Sequence, residues 1–147
     1  MQWLASLCLL AEPCRELRDA RTAATRYRAM LPFARHNATT PPELCLGSAS
    51  RSLGILAATM SEWDVAGRHF DDALAMNADM DAHPWLASTR YDYARMLVAR
   101  NSAGDRERAR ELVTGARALA AELGMNGLSA SLARLESSEA PARDGLS

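Results

Sequence analysis

Three alanines spaced evenly along the chain constrain its fold more than any other feature. Ala23, Ala66 and Ala109 stand 43 residues apart each time. Four residues before each lies an acid, Asp19, Glu62 and Asp105. Four residues after each lies a larger apolar side chain, Tyr27, Phe70 and Val113, and seven after come Met30, Ala73 and Ala116. Twelve before come Ala11, Gly54 and Leu97. Positions 0, +4 and +7 share one face of an α-helix. A small residue there lets a neighbouring helix approach closely, and the acid one turn earlier suits the positive end of the helix dipole. The spacing predicts second helices starting near 19, 62 and 105, preceded by first helices over roughly 2–17, 43–60 and 84–100.

Composition supports helices throughout. The 147 residues include 29 Ala and 20 Leu, but a single Ile (Ile55) and three Val. Ala and Leu favour helix, whereas β-branched residues favour strands. A mainly β fold is therefore excluded. Length allows one domain with a core of its own. The formal net charge of −1 gives no support for direct nucleic-acid binding. No apolar run reaches the ~20 residues of a membrane span, and no basic stretch precedes the apolar segment 3–11 as in a signal peptide. Cys8, Cys14 and Cys45 lack a C-x-x-C spacing and read as packed, reduced thiols of a cytoplasmic protein. Cys14 and Cys45 can meet only if the fold brings them together.

Local signals refine the boundaries. Pro84 suits a helix first turn, Gly124 a position just past a helix end, and Asn37 to Pro42 a loop between units. Pro13 predicts a kink or stop inside the first helix. Ser102-Ala103-Gly104 reads as a three-residue insertion in the third unit. Leu128, Leu132 and Leu135 predict a capping helix over 126–138 that covers the exposed end of the array. Residues 1–136 then form the repeat domain, and 137–147, small and polar with Pro141, a disordered linker or tail.

The middle unit reads Leu53-Gly54-x-x-Ala57 followed by Ala66-x-x-x-Phe70-x-x-Ala73. It resembles the tetratricopeptide repeat, with Ser50, Ala57 and Ala78 where that repeat has Trp, Tyr and Pro. The 43-residue period also falls in the range of HEAT and armadillo repeats. The resemblance implies an all-α, right-handed helical-repeat solenoid of three helix pairs plus the C-terminal cap. Several further blocks, Cys45 to Ala58, His69-Phe70-x-x-Ala73-Leu74, Pro84 to Ala87 and Tyr91 to Leu97, resemble the C-terminal repeat region of bacterial multidomain signalling ATPases. These include LuxR-type transcriptional regulators and ATPases with cyclase-like domains. The resemblance implies a non-catalytic sensor or protein-interaction arm that regulates transcription through the neighbouring domains of a parent ATPase. The alternative is a stand-alone adaptor or oligomerisation domain that pairs through the ends of the solenoid.

Catalytic and cofactor motifs are absent. There is no G-x-x-x-x-G-K-[ST], G-x-G-x-x-G, G-x-S-x-G or H-E-x-x-H, and the chain has no lysine to serve a phosphate or a Schiff base. No enzyme activity, cofactor or metal is expected. His69 and Asp72 share a helix face, but a half-exposed histidine beside Phe70 is the simpler reading. Asp71, Asp72, Asp79 and Asp81 read as a solvated acidic helix end. The alternating charges of 105–111 read as a solvated helix face. Trp63 and Trp85 read as packing residues. Counting from the Leu53-Gly54 column, the outward positions of the first helices are Ser48, Arg51, Ile55 and Thr59, then Ser88, Tyr91, Arg95 and Val98. A partner-binding groove of Ser48, Arg51, Ile55, Ser88, Tyr91 and Arg95 is therefore expected, its arginines suited to an acidic protein segment, peptide or ligand carboxylate.

Overall fold

The computed structural model describes residues 2–40 and 44–139. Among them the chain is helical apart from one two-stranded sheet. The order is α1 (Gln2–Leu9), α2 (Ala11–Glu16), α3 (Ala20–Met30), β1 (Asn37–Thr40), β2 (Leu44–Ser48), α4 (Ala49–Thr59), α5 (Trp63–Asp79), α6 (His83–Arg100), α7 (Asp105–Glu122) and α8 (Asn126–Glu139). No helix among the described residues is long and apolar enough to cross a membrane.

The alanine columns form the centre of the packing. Ala23, Ala66 and Ala109 are each fully buried on α3, α5 and α7. One turn later Phe70 and Val113 are buried and Tyr27 is half-buried, and Met30, Ala73 and Ala116 follow with no exposure. Ala11, Gly54 and Leu97 of the preceding helices are buried opposite them. Gly54 illustrates why small residues stand there: a Cβ at this position would lie 2.9 Å from the Phe70 ring. The phenyl ring occupies the side-chain space that glycine leaves on α4. Tyr93 of α6 stacks on the other side of Phe70, with centroids 5.3 Å apart.

Four inter-helix turns are built alike. Arg18, Ser61, Asp81 and Gly124 each take a positive φ just past a helix end. The next amide bonds back five residues, from Asp19 to Cys14 O, Glu62 to Ala57 O, Ala82 to Asn77 O and Met125 to Ala120 O, at 2.8–3.0 Å. This pattern closes the orphan carbonyls of a helix terminus and reverses the chain. The turn between α6 and α7 differs. Asn101 ends α6 with φ 51°, and Ser102-Ala103-Gly104 follow as the inserted residues before α7.

Several sequence expectations need correction. The first helix is not continuous over 2–17. It breaks at Leu10, which leaves Pro13 in the first turn of α2, where its missing N–H costs little. The second unit's first helix starts at Ala49, not near 43. The preceding segment pairs β1 with β2 in antiparallel register, Thr39 opposite Cys45 and Asn37 opposite Ser48. Strands replace much of the expected 37–42 loop, while Pro41 and Pro42 lie outside the described residues. Asp19 caps α3 through its side chain, accepting from Thr22 N at 3.0 Å, but the Glu62 side chain makes no cap bond. Asp105 is the first residue of α7 and accepts from Ser102 N at 2.8 Å. The cap runs over Asn126–Glu139, so 137–139 are helical rather than tail, and 140–147 lie outside the described residues. Leu132 is fully buried, with Leu128 and Leu135 packed beside it.

Candidate functional site

Helices α2, α4, α6 and α8 each contribute one face to a groove of about 580 Å³. Glu12, Arg15 and Glu16 come from α2, Arg51 from α4, Ser88, Tyr91, Asp92 and Arg95 from α6, and Gly127, Leu128, Ser131 and Arg134 from α8. Of the residues expected there, Arg51, Ser88, Tyr91 and Arg95 are brought together. Ser48 and Ile55 are not. Ser48 is buried as the N-cap of α4, accepting from Ser50 N at 3.1 Å and donating to Met76 Sδ. Ile55 is 1% exposed and belongs to the core. Counting outward positions assumed a free face on α4, but α2, α3, α5 and α6 all pack against this helix.

The groove is organised by a residue that the expected site omitted. The Asp92 carboxylate is 1% exposed and accepts from Arg15 Nη1 at 2.6 Å and from Arg51 Nε at 2.7 Å. One buried anion therefore joins α2, α4 and α6. Burial alone would raise the Asp92 pKa, but the Arg51 and Arg15 guanidiniums outweigh it and hold the carboxyl below its ordinary range. Burial likewise disfavours charge on Arg51, and Asp92 and Glu12 reverse that, so its pKa is raised. The Arg51 guanidinium also lies 5.7 Å from the Trp85 ring centroid, a cation–π distance. Trp85 in turn lies against Gly47, where a Cβ would be 2.8 Å from the indole.

The rim is looser. Arg51 Nη2 pairs with Glu12 at 2.6 Å and Arg95 Nη1 with Glu16 at 2.9 Å. The two glutamate side chains are 52% and 61% exposed. The bond from Arg95 lowers the Glu16 pKa. Arg134 donates to Ser131 Oγ at 3.0 Å. Four guanidiniums thus face three carboxylates, and two of those carboxylates stand in water.

The remaining chemistry-bearing residues do not converge. His36, His69 and His83 lie apart, and among the described residues no cluster of His, Cys, Asp or Glu fits a metal ion. His69 is buried rather than half-exposed, with Nε2 2.8 Å from Tyr27 Oη. Burial lowers its pKa, with Arg68 adding to this and Asp72 opposing it. Cys8 and Cys14 are buried free thiols, and the Cys45 side chain is outside the described set. Asp71, Asp72, Asp79 and Asp81 are all exposed on α5 and its following turn.

Asp92 left no signal in the sequence: its partners lie 41 and 77 residues away, and the 43-residue columns set it opposite Ala49.

Comparison with protein-family models, with curated proteins and with solved structures returns no match.

Proposed function

We propose that this chain is a non-catalytic binding module, a right-handed, tetratricopeptide-like solenoid whose first-helix groove takes an acidic segment of a partner protein. Support for the solenoid comes from the packing order. Each helix packs on its sequence neighbours, and α2, α4, α6 and α8 also pack one on the next. The observation that carries the binding role is the groove itself, lined by those four helices and by Arg15, Arg51, Arg95 and Arg134. Glu12 and Glu16 hold Arg51 and Arg95 from the solvent side. The Arg95–Glu16 pair is open to water, its side chains 34% and 61% exposed, and such pairs are worth about 0–1 kcal/mol, so an incoming carboxylate replaces Glu16 at little cost. Asp92 stays in place as the buried anchor.

In the sequence-level resemblance, such a module belongs to the C-terminal repeat region of a LuxR-type signal-transduction ATPase. A partner that prefers one curvature of the array shifts the linked ATPase by differential affinity. The genomic reading frame on either side of residues 1–147 tests this assignment. A nucleotide-binding motif before and a helix-turn-helix after support it, and their absence favours a stand-alone adaptor.

The binding role is tested with a labelled hexaglutamate peptide by fluorescence anisotropy. Saturable binding that weakens with salt, and about tenfold on Arg95→Ala or Arg134→Ala, supports the groove. Arg117→Ala serves as the control, since Arg117 pairs with Glu136 away from the groove. No saturation, or equal loss in the control, contradicts it.

A second reading has its own observation. Trp3, Leu9, Leu10 and Leu17 are 40–78% exposed on the first unit. A second copy of the chain would cover them, and light scattering that shows a concentration-dependent dimer lost in Leu9→Glu/Leu17→Glu would favour self-association.

A further inference from the structure

A second cavity lies behind the groove and shares a wall with it. It measures about 510 Å³, within the range of small-molecule sites, about 300–1,000 Å³. Its apolar lining comes from Ile55, Ala58, Trp63, Phe70, Met96 and Ala99, and its polar lining is dominated by Arg15, Arg18 and Arg95 with Asp92. The two halves suit different parts of one molecule. Asp92 is already matched by Arg15 and Arg51, so the carboxylate adds no repulsion that is not compensated. Arg15 Nε is buried and makes no hydrogen bond, its nearest acid being Glu16 at 3.6 Å. No carboxylate among the described residues pairs with Arg18.

Arg18 is also held in an unusual backbone state. It sits at φ 52°, just past the end of α2, in a position that glycine fills most easily. An L-residue there costs about 1–2 kcal/mol. Ser61, which lines the same cavity, occupies the equivalent place after α4 at φ 61°. Both turns thus line the cavity.

We propose that this cavity binds a small amphipathic monocarboxylate, its aromatic or aliphatic body against Trp63, Ala58 and Ala99, over a floor closed by the buried Ile55, Phe70 and Met96, and its carboxylate on Arg18 and Arg95. A free phosphate would leave the apolar lining unused, and a neutral apolar molecule would leave the guanidiniums unanswered. Because Arg15 and Arg95 line both spaces, a carboxylate in the cavity competes with Glu16 for Arg95 and alters the rim of the groove. The site is therefore placed to report a small molecule to whatever occupies the groove.

The test uses isothermal titration at two temperatures with 4-phenylbutyrate and its uncharged counterpart 4-phenylbutan-1-ol. The acid is expected to bind at least tenfold more tightly than the alcohol. Two variants separate binding from folding. Arg18→Gly relieves the backbone strain and is expected to raise the Tm while losing most of that tenfold preference. A merely structural arginine would not move the two readouts in opposite directions. Ala99→Trp, at an exposed position on the rim, is expected to keep the wild-type circular dichroism and abolish acid binding. Hexaglutamate binding to the groove should survive Ala99→Trp, so failure of the cavity and failure of the groove are distinguishable. Equal affinity for acid and alcohol overturns the proposal, as does an absence of heat from the wild type at millimolar probe. Wild-type affinity in Arg18→Gly or in a folded Ala99→Trp overturns it as well.

Discussion

The first helix unit and the two that follow are attached in different ways. Units two and three meet through apolar packing: the Phe70 ring of α5, seated on Gly54 within unit two, stacks on Tyr93 of α6, and Ala66 and Ala109 are fully buried beside them. The first unit has buried residues of its own, among them Leu4, Cys8, Cys14 and Met30. Yet it also reaches across to the others by polar links: Arg15 to Asp92, Glu12 to Arg51, Glu16 to Arg95, and Tyr27 to His69. Apolar packing is insensitive to pH and salt, whereas exposed ion pairs are screened. The contrast is sharpest at α2, which makes three of these ion pairs and carries three residues of the groove.

Removing the anchor should have the largest effect. Asp92→Ala leaves two guanidiniums facing a buried void, and is expected to cost about 3–5 kcal/mol in urea unfolding. Replacing the whole trio, by Arg15→Met, Arg51→Met and Asp92→Leu together, should recover most of that loss, because paired buried charges add little net stability. If the single and triple variants are equally unstable, the trio is not the link between the units.

On the apolar side, Gly54→Ala pushes a methyl group against the Phe70 ring. Overpacking of this kind costs about 1–3 kcal/mol, and the better helix propensity of alanine returns up to about 1 kcal/mol. A net loss of about 1–2 kcal/mol is expected, with no change in salt dependence. A loss that grows with salt would blur the contrast between the two regions.

Tyr27→Phe removes the partner of His69 Nε2 and should cost about 1 kcal/mol by thermal unfolding. The same pair sets a pH dependence. The fold holds His69 below its usual pKa of 6.5, so the unfolded chain takes up the proton first. Stability from this group is complete above that value and is lost as pH falls through the window between it and the lowered native pKa. The paired carboxylates Asp92, Glu16 and Asp105, whose pKa values are lowered, act only in more acidic solution. His69→Gln should flatten the curve between pH 7 and pH 5; an unchanged slope would mean that another group titrates there.

The smallest effect has the opposite sign. Ser61→Gly and Asp81→Gly relieve positive φ at exposed turn positions and should each add about 0.5–1 kcal/mol, net of the entropy lost by glycine. Scanning calorimetry that shows a fall in Tm would mean these side chains support their turns.

Much of the helical framework was legible because it is local. Ala23, Ala66 and Ala109 announced buried helix faces by spacing alone, and Pro84 and Gly124 marked helix ends through their own backbone chemistry. The sheet was not legible. Its strands are four and five residues long with no Asn-Gly turn to mark them, and so short a pair is stable only against helices. The groove was half legible. Arg51, Tyr91 and Arg95 follow from helix phase, but Asp92 meets partners 41 and 77 residues away, beyond any local pattern. Ser48 and Ile55 were misplaced because phase assigns a face without showing how many neighbours cover it.

Hydrogen exchange on Asp92→Asn, compared with the wild type, tests most directly whether one buried carboxylate holds the first unit to the others. Amides of 11–30 should exchange at least tenfold faster in the variant, while those of α5 and α7 keep their protection. Uniform acceleration along the chain, or unchanged protection over 11–30, would contradict the account.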